Sequence, residues 1–518
     1  MQLVILHYHL NRGGVTSVVE NQLRSLALLD PQDRPTRVAV VYGGRAAAWN
    51  RDLAQVLPFE CSLISVPQLE YDHLSTREGQ LYKSLQPLLD QFQRDSTVLH
   101  VHNHSLGKNV EMAAVLCRLA DEGWRLLLQI HDFAEDLRPA NYQHLLSQAD
   151  SKEELQGQLY PQAAQIHYAV LNQRDRQVLA TAGIAEERLH LLPNPVKPPS
   201  DLIDVQQVQA AKAELVRSLR LPAEHRIVLY PVRAIRRKNL GEILLWSLLV
   251  EDATFVVTLA PLNPQEQATY QRWVEFAAEL QLPVQFDIAS KTELSFEATY
   301  AASDAIITTS VAEGFGMVYL EASLVGRPLV GRRLPGVCQD FLAAGMQFPG
   351  LAATMSIPAN ASDFQAYQRS HLRLIEDLRT AYGLPNTDAT ELTAADPAFS
   401  GDTIDFGRLE STQQKSFLRR VKAEANLRST LRELNPKVEM IRAVADTAPG
   451  DFDRTLANNR RVVAENYSLE VIGRQLSGIY QEVLASGLQS AACDPAIAVA
   501  ILHRFVQPKQ LFPIRLES

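Results

Sequence analysis

Apolar runs of about five residues, rich in Val, Ile and Leu, recur through roughly the first 200 residues, and longer stretches with apolar positions every three or four residues lie between them. A continuous apolar run suits a strand buried on both faces, and the three-to-four spacing suits a helix lying across it. The alternation therefore predicts a parallel sheet covered by helices on both sides. Strands are expected at 3–7, 37–42, 62–66, 98–102, 126–131 and 167–171, with helices at 15–28, 81–92, 110–121 and 173–182. The proline-rich segment 193–200 can continue neither a helix nor a central strand and reads as a linker.

A second series follows, with strands expected at 227–232, 254–259, 284–287, 305–309 and 328–331 and helices at 239–249, 265–280 and 294–302. From about 341 to 456 strands become scarce and polar, helix-favouring sequence such as 411–434 takes over; helical periodicity is strong again over 460–485. The pattern predicts an α/β chain of two doubly wound, Rossmann-like parallel-sheet domains facing a cleft, with a mainly helical insertion in its C-terminal half. The expected domains are 1–198, then 199–486 carrying the insertion at about 341–456, then a tail at 487–518 able to pack back on the first domain.

Length agrees with two domains, since 518 residues exceed the roughly 250–300 that one core serves. The formal net charge of −9, with no Lys/Arg stripe, argues against a nucleic-acid partner. No apolar stretch reaches the ~20 residues of a membrane span, and the opening apolar run is short and lacks a basic start, so it reads as a first strand and not a signal peptide. Cys61, Cys117, Cys338 and Cys493 lie far apart with no C-x-x-C spacing, which suggests neither a disulfide framework nor a zinc site and fits a reducing cytoplasm.

The most specific chemical pattern is Ser310-Val311-Ala312-Glu313-Gly314-Phe315-Gly316-Met317-Val318, directly after an expected strand, with Glu321 further along the following helix. A glycine-rich turn opening into a helix aims backbone N–H groups at an anion such as a phosphate. Glu313 and Glu321 add carboxylates that accept hydrogen bonds from sugar and ribose hydroxyls, so the combination suits a sugar nucleotide. A second pattern, Arg233-Ala234-Ile235-Arg236-Arg237-Lys238-Asn239, stands at the end of the second series' first strand. Arg233 and Lys238 there could bracket a diphosphate, each worth about 4 kcal/mol at ~4 Å and a surface-like dielectric; Arg236 and Arg237 read as a solvated face. The third, Asn11-Arg12-Gly13-Gly14, lets backbone approach a ligand closely but lacks the G-x-G-x-x-G spacing of a dinucleotide fold, which disfavours hydride transfer.

These residues resemble the retaining GT-B glycosyltransferases of family 4 (glycosyl transferases group 1). The resemblance rests on the Gly13-Gly14 loop, His131 after a strand, Pro193-Asn194, Arg233 with Lys238 five residues on, Glu313 with Glu321, and the late helix around Tyr467, all in the family's order. It covers 1–335 and roughly 457–486. It implies a GT-B fold with an N-terminal acceptor domain and a C-terminal donor domain. It also implies a donor site of Gly13, Gly14, Arg233, Lys238, Glu313, Gly314, Phe315, Gly316, Met317, Val318 and Glu321, with His131, Glu313, Arg233 and Lys238 catalytic. The reaction implied is retaining transfer of a hexosyl unit from a nucleotide-diphosphate sugar, with no cofactor and no metal. The chain departs from the family at Asn239, where glycine is frequent, at Pro195, and in the insertion after Gly336.

The donor's base stays open among UDP, GDP and ADP. Acceptor candidates are Arg12, Lys108, Asn109, Asp132 and Arg138, whose cations could grip a small soluble, anionic acceptor. His100, His102 and His104 alternate along one strand and so share a face, but no supporting carboxylate accompanies them and a metal site is not expected. An epimerase or a phosphorylase on the same fold, or a non-catalytic nucleotide-sugar-binding subunit, are the rival readings. A homo-oligomer is compatible with all of them.

Overall fold

A computed structural model describes residues 1–71, 80–147, 149–198, 205–385, 402–442 and 451–516. Parts of the expected linker (199–200), insertion (386–401 and 443–450) and tail (517–518) lie outside the described residues. The chain forms two compact units: Met1–Lys197 with Asp377–Asn386 and Glu465–Gln507, and Pro198–Glu376 with Thr387–Ala464 and Pro508–Ser518.

The first unit is built on a seven-stranded parallel sheet. Its strands are β1 (Gln2–His7), β2 (Arg37–Tyr42), β3 (Glu60–Ser65), β4 (Thr97–His102), β5 (Arg125–Ile130), β6 (Ile166–Val170) and β7 (Leu189–Leu191), in the order β3-β2-β1-β4-β5-β6-β7. Leu3, central in β1, lies opposite Val38 on one side and Val98 on the other. The three-residue edge strand β7 is too short to leave a periodic signal.

The helix Leu469–Ala485 belongs to this unit and not to the second, where the sequence pattern put it. Its Ile472, Leu476, Ile479, Tyr480 and Val483 join Leu3, Ile5, Val19, Leu23 and Leu26 in one core. Gly473 allows the close approach: a Cβ there would stand 2.4 Å from the Ser25 carbonyl oxygen. Amphipathic spacing reveals that a helix has an apolar face but not which sheet receives it. Tyr382, from the expected insertion, is also in the first unit, where its hydroxyl donates to the Ala134 carbonyl (3.0 Å) and accepts from the Arg138 N–H (2.8 Å).

The second unit holds a six-stranded parallel sheet: β8 (Arg226–Arg233), β9 (Ala253–Leu259), β10 (Val284–Gln285), β11 (Ala305–Thr308), β12 (Leu329–Arg332) and β13 (Gly350–Ala352), in the order β10-β9-β8-β11-β12-β13. The helix Leu240–Leu249 is buried along its whole length. The expected insertion is not an appendage. It contributes β13, an antiparallel ribbon of β14 (Ser356–Pro358) and β15 (Thr403–Asp405), and the helices Ser411–Ala423 and Ala425–Leu434. Phe406, Phe417, Leu418, Val421 and Leu431 share a core with Ile243, Leu244 and Phe255. No helix among the described residues is long and apolar enough to cross a membrane.

Replacing Gly473 with Val forces the helices Gly14–Ala27 and Leu469–Ala485 apart. We expect a loss of about 1–3 kcal/mol, read as a lowered melting temperature, whereas Gly478→Val, at a position open to at least 4 Å, leaves it nearly unchanged.

Candidate active site

In each sheet the strand order reverses at one point, between β1 and β4 in the first and between β8 and β11 in the second. Loops leaving the carboxyl ends of such a pair diverge and open a crevice, the usual ligand site of doubly wound sheets.

In the second unit this crevice gathers the two strongest motifs. The turn after β8 presents Arg237 and Lys238, and the turn after β11 presents Glu313, whose side chain is 8% exposed. Lys238 Nζ bonds Glu313 Oε1, and an Arg237 guanidinium nitrogen lies 3.1 Å from Oε2 and 3.1 Å from the Ala312 carbonyl oxygen. Arg237 is thus part of the cluster and not a solvated position; Arg236 is also engaged, on Glu266 at 3.0 Å. Burial raises the Glu313 pKa, but Lys238 and Arg237 outweigh it and hold the carboxyl below its usual value, so it is ionised at neutral pH. The two turns are tied together. Tyr230 donates to the Lys238 carbonyl (2.9 Å) and meets Ser310 Oγ (2.9 Å), Thr309 Oγ1 donates to the same carbonyl (2.9 Å), and the Val311 N–H donates to Arg237 O (2.9 Å).

Arg233, the last residue of β8, is half-buried, with its guanidinium donating to the Ala260 carbonyl at 3.3 Å. Glu321 accepts from the Tyr300 hydroxyl (3.0 Å); burial pushes its pKa up, against the pull of Tyr300 and Lys238. Gly316 has φ +84, and a Cβ there would lie 2.6 Å from the Tyr319 ring. Phe315 packs against Phe341 with ring centroids 5.5 Å apart, Val318 is buried, and Gly314 and Met317 are half-buried. The helix that follows, Val318–Leu324, has seven residues.

A buried ion network lies behind these turns. Arg332, on β12 and 2% exposed, binds Glu242 and both oxygens of Asp405 (2.8 Å each). Burial opposes ionisation of Asp405, but Arg332 and the Met355 and Gly407 N–H groups hold its pKa below the usual value. Asn239 occupies the left-handed region at φ +51, donates to Glu242 (2.7 Å) and accepts from Gln414 (3.2 Å). Two of the three departures from the family pattern therefore meet: the insertion supplies Gln414 and Asp405, and Asn239 is the residue they hold through this network. Apart from the local Asn239–Glu242 bond, its side-chain contacts span 73 to 175 residues and leave no local sequence signal.

In the first unit, histidines and a polar cluster line the point of reversal. His131 Nε2 is 2.8 Å from His102 Nδ1, and the His131 and Asp132 N–H groups both donate to Asn103 Oδ1 (2.7 and 3.1 Å). Asn103, at φ +59, is fixed by the Tyr8 hydroxyl on its carbonyl (2.8 Å). His102 stacks on both His100 and His131, with ring centroids 4.4 and 5.2 Å apart. With Gln129 Oε1 accepting at 3.0 Å, His100 Nε2 carries the proton and the Tyr480 hydroxyl donates to Nδ1 (2.8 Å). His104 leaves the shared face expected for it, because β4 ends at His102 and Asn103 turns the chain; its Nε2 meets the Leu159 carbonyl oxygen at 2.9 Å. Among the described residues no group of three or more His, Cys, Asp or Glu is placed to hold a metal.

Arg138 pairs with Asp132 (2.6 Å), and Lys108 donates to Asn141 (3.3 Å) while lying 5.3 Å over the Tyr71 ring. Burial and Arg138 depress the Lys108 pKa. The Asn109 side chain is fully engaged, on the Gln68 and Glu70 carbonyls and the Glu111 N–H, and so holds a loop. Arg12 is exposed, as are Gly13 and Gly14, and a Cβ at Gly14 would meet nothing within 4 Å. The protein's own packing therefore does not require glycine at 14.

No family model matches the chain. It is 26% identical over 452 residues to the mannosylglucosyl-3-phosphoglycerate synthase of Petrotoga mobilis (strain DSM 10674 / SJ95), which covers 85% of each chain. Among solved structures it is similar to Anabaena HepE in complex with UDP-glucose (TM-score 0.52, 14% identity, 92% of this chain and 98% of that one). Sucrose-phosphate synthase from Thermosynechococcus elongatus is comparable (TM-score 0.51, 16% identity, 94% and 99%). The chain has the GT-B fold, and its likeness to a glycosyl transferase agrees with the family 4 resemblance carried by its motifs.

Two consequences are measurable. Asp405→Ala strands part of a buried guanidinium's charge and is expected to cost about 3–5 kcal/mol, lowering the melting temperature far more than Arg419→Ala at the exposed Arg419–Glu279 pair. Burial lowers the pKa of His7 and His100 to about 3 and of His104 and His131 to about 4, so between roughly pH 4 and 6.5 the unfolded chain binds protons that the folded unit refuses. Glu135, which burial pushes up to about 7, acts the other way but is outnumbered. Melting of the first unit is expected to drop steadily as pH falls from 6.5 toward 4, by up to about 1.4 kcal/mol per pH unit for each histidine; a flat profile would contradict the buried neutral cluster.

Proposed function

We propose that this GT-B glycosyltransferase moves a hexosyl unit from a nucleotide-diphosphate sugar to a small anionic acceptor and retains the anomeric configuration. The observation that carries the reading is the Glu313 carboxylate held by Lys238 and Arg237 where β8 and β11 part. An arriving diphosphate is a stronger partner for Lys238 than one carboxylate. As Lys238 turns to the phosphates alongside Arg233, Glu313 is released to accept hydrogen bonds from the hydroxyls of the transferred sugar. Glu321, already accepting from Tyr300, takes the ribose hydroxyls in the same way. His131 is assigned to the transferred sugar. The acceptor hydroxyl attacks on the face that the nucleoside diphosphate leaves; the new glycosidic bond forms as the C1–O bond breaks, and a departing phosphate oxygen takes the proton. Lys238 and Arg233 stabilise the charge that builds on that phosphate.

The acceptor reading rests on Lys108 and Arg138 beside Tyr71 and on the relative's name, which points to a phosphoglycerate glycoside. Carboxylate and phosphate groups on such a molecule suit paired cations.

A thermal-shift screen against UDP, GDP, ADP and their glucose and mannose conjugates, with and without EDTA, tests the donor site. One nucleotide is expected to stabilise the protein, by about 2.7 kcal/mol at 100 times its dissociation constant, without dependence on EDTA. Lys238→Ala should abolish that shift. Glu313→Gln should keep it while transfer falls by about 100-fold or more, equivalent to ~2.7 kcal/mol. Lys108→Ala should raise the acceptor KM about tenfold and leave the donor shift intact. The absence of a shift with every nucleotide at millimolar concentration would remove the reading.

A further inference from the structure

Cys117 and Cys493, 376 positions apart in sequence, bring their Sγ atoms to 3.7 Å in the first unit. Both backbones are pinned. Cys117 sits inside the helix Met112–Asp121, and Cys493 lies between two anchors: Ala492 exchanges both backbone hydrogen bonds with Gln162 (2.8 Å each), and the Asp494 side chain caps the helix Pro495–Phe505 at Ala496 (2.9 Å). The segment is also tied to the helix that carries Cys117, through the Ala491 N–H on Asp121 (2.8 Å). Gly157 faces Cys493 so closely that a Cβ there would lie 3.1 Å from the Cys493 carbonyl oxygen. A disulfide has its sulfurs about 2.05 Å apart, so side-chain rotation has to bring the two closer before a bond forms.

We propose that Cys117 and Cys493 are a site of oxidative modification, closing an intramolecular disulfide when the protein meets a low-molecular-weight disulfide. Cys493 is exposed and Cys117 half-buried, which sets the order of events. The Cys493 thiolate attacks the reagent, forming a mixed disulfide and releasing one thiol. Cys117 then loses its proton, attacks the Cys493 sulfur and expels the second thiol. The two cysteines are oxidised by two electrons, and the reagent is reduced to two thiols. Burial, reinforced by the neighbouring Cys493 sulfur, raises the Cys117 pKa, so Cys117 reacts poorly with reagents in solution and through its held neighbour instead. Cys338 is fully buried and Cys61 stands on β3; neither has a sulfur partner.

The test incubates the full chain with glutathione disulfide, blocks remaining thiols under denaturing conditions, and reads intact mass, peptide map and melting curve. The expected product has lost two thiols without gaining glutathione, yields a Cys117–Cys493 cross-linked peptide, and melts roughly 5–10 °C higher until dithiothreitol is added, since a very long loop is closed. Cys117→Ser should trap glutathione on Cys493, and Cys493→Ser should show neither adduct nor shift. A stable glutathione adduct on Cys493 in the unsubstituted protein, or cross-links between chains, would overturn the proposal.

Discussion

A parallel sheet wound outward in two directions has one pair of neighbouring strands whose following loops turn apart, and both sheets of this chain place their chemical groups there. In the second sheet the pair is β8 and β11, and Lys238, Arg237 and Glu313 meet because those strands are hydrogen-bonded neighbours although their loops are 75 residues apart. In the first it is β1 and β4, with Tyr8 leaving one and Asn103 the other. The connectivity thus decides which side chains can act together before any of them is chosen.

Polar interiors of different kinds support the two crevices. Behind the second lies an ionic network in which one guanidinium answers two carboxyl groups, Asp405 held ionised by it and Glu242 pushed up to about 7 by burial. Such a network is poor as a net source of stability and strong as a constraint, since losing Arg332 or Asp405 leaves an unbalanced group in a low-dielectric interior. The first is backed by uncharged imidazoles joined through His102 Nδ1 and His131 Nε2. Neutral rings avoid the burial penalty of ions, and they keep His131 able to donate or accept according to how the pair shares its protons.

What could be read in the sequence follows from the range of each signal. Strands β1, β2, β4, β8, β9 and β11 announced themselves through local apolar runs, and the Glu313 turn through glycine spacing. β7 and β13 escaped because three residues carry no period. Arg237 resembled any solvated arginine until the Ala312 carbonyl and Glu313 were brought against it, and His104 followed strand alternation until Asn103 broke the strand. The roles of Gln414, Asp405 and the helix Leu469–Ala485 depend on partners far along the chain, which no window of local sequence contains. The pairing of Cys117 with Cys493 is the extreme case.

The discontinuity of the first unit bears on how the molecule comes into being. Its sheet is specified before Lys197, yet the helix that covers Val19, Leu23 and Leu26 is Leu469–Ala485. At about 5–20 residues per second, a ribosome needs on the order of tens of seconds to reach that helix after finishing the sheet. Throughout that interval the apolar face of Gly14–Ala27 lacks its native cover, and the second unit is synthesised in the meantime. Maturation of the nascent chain therefore does not follow the order of its domains, since each unit waits on a segment made after residue 464.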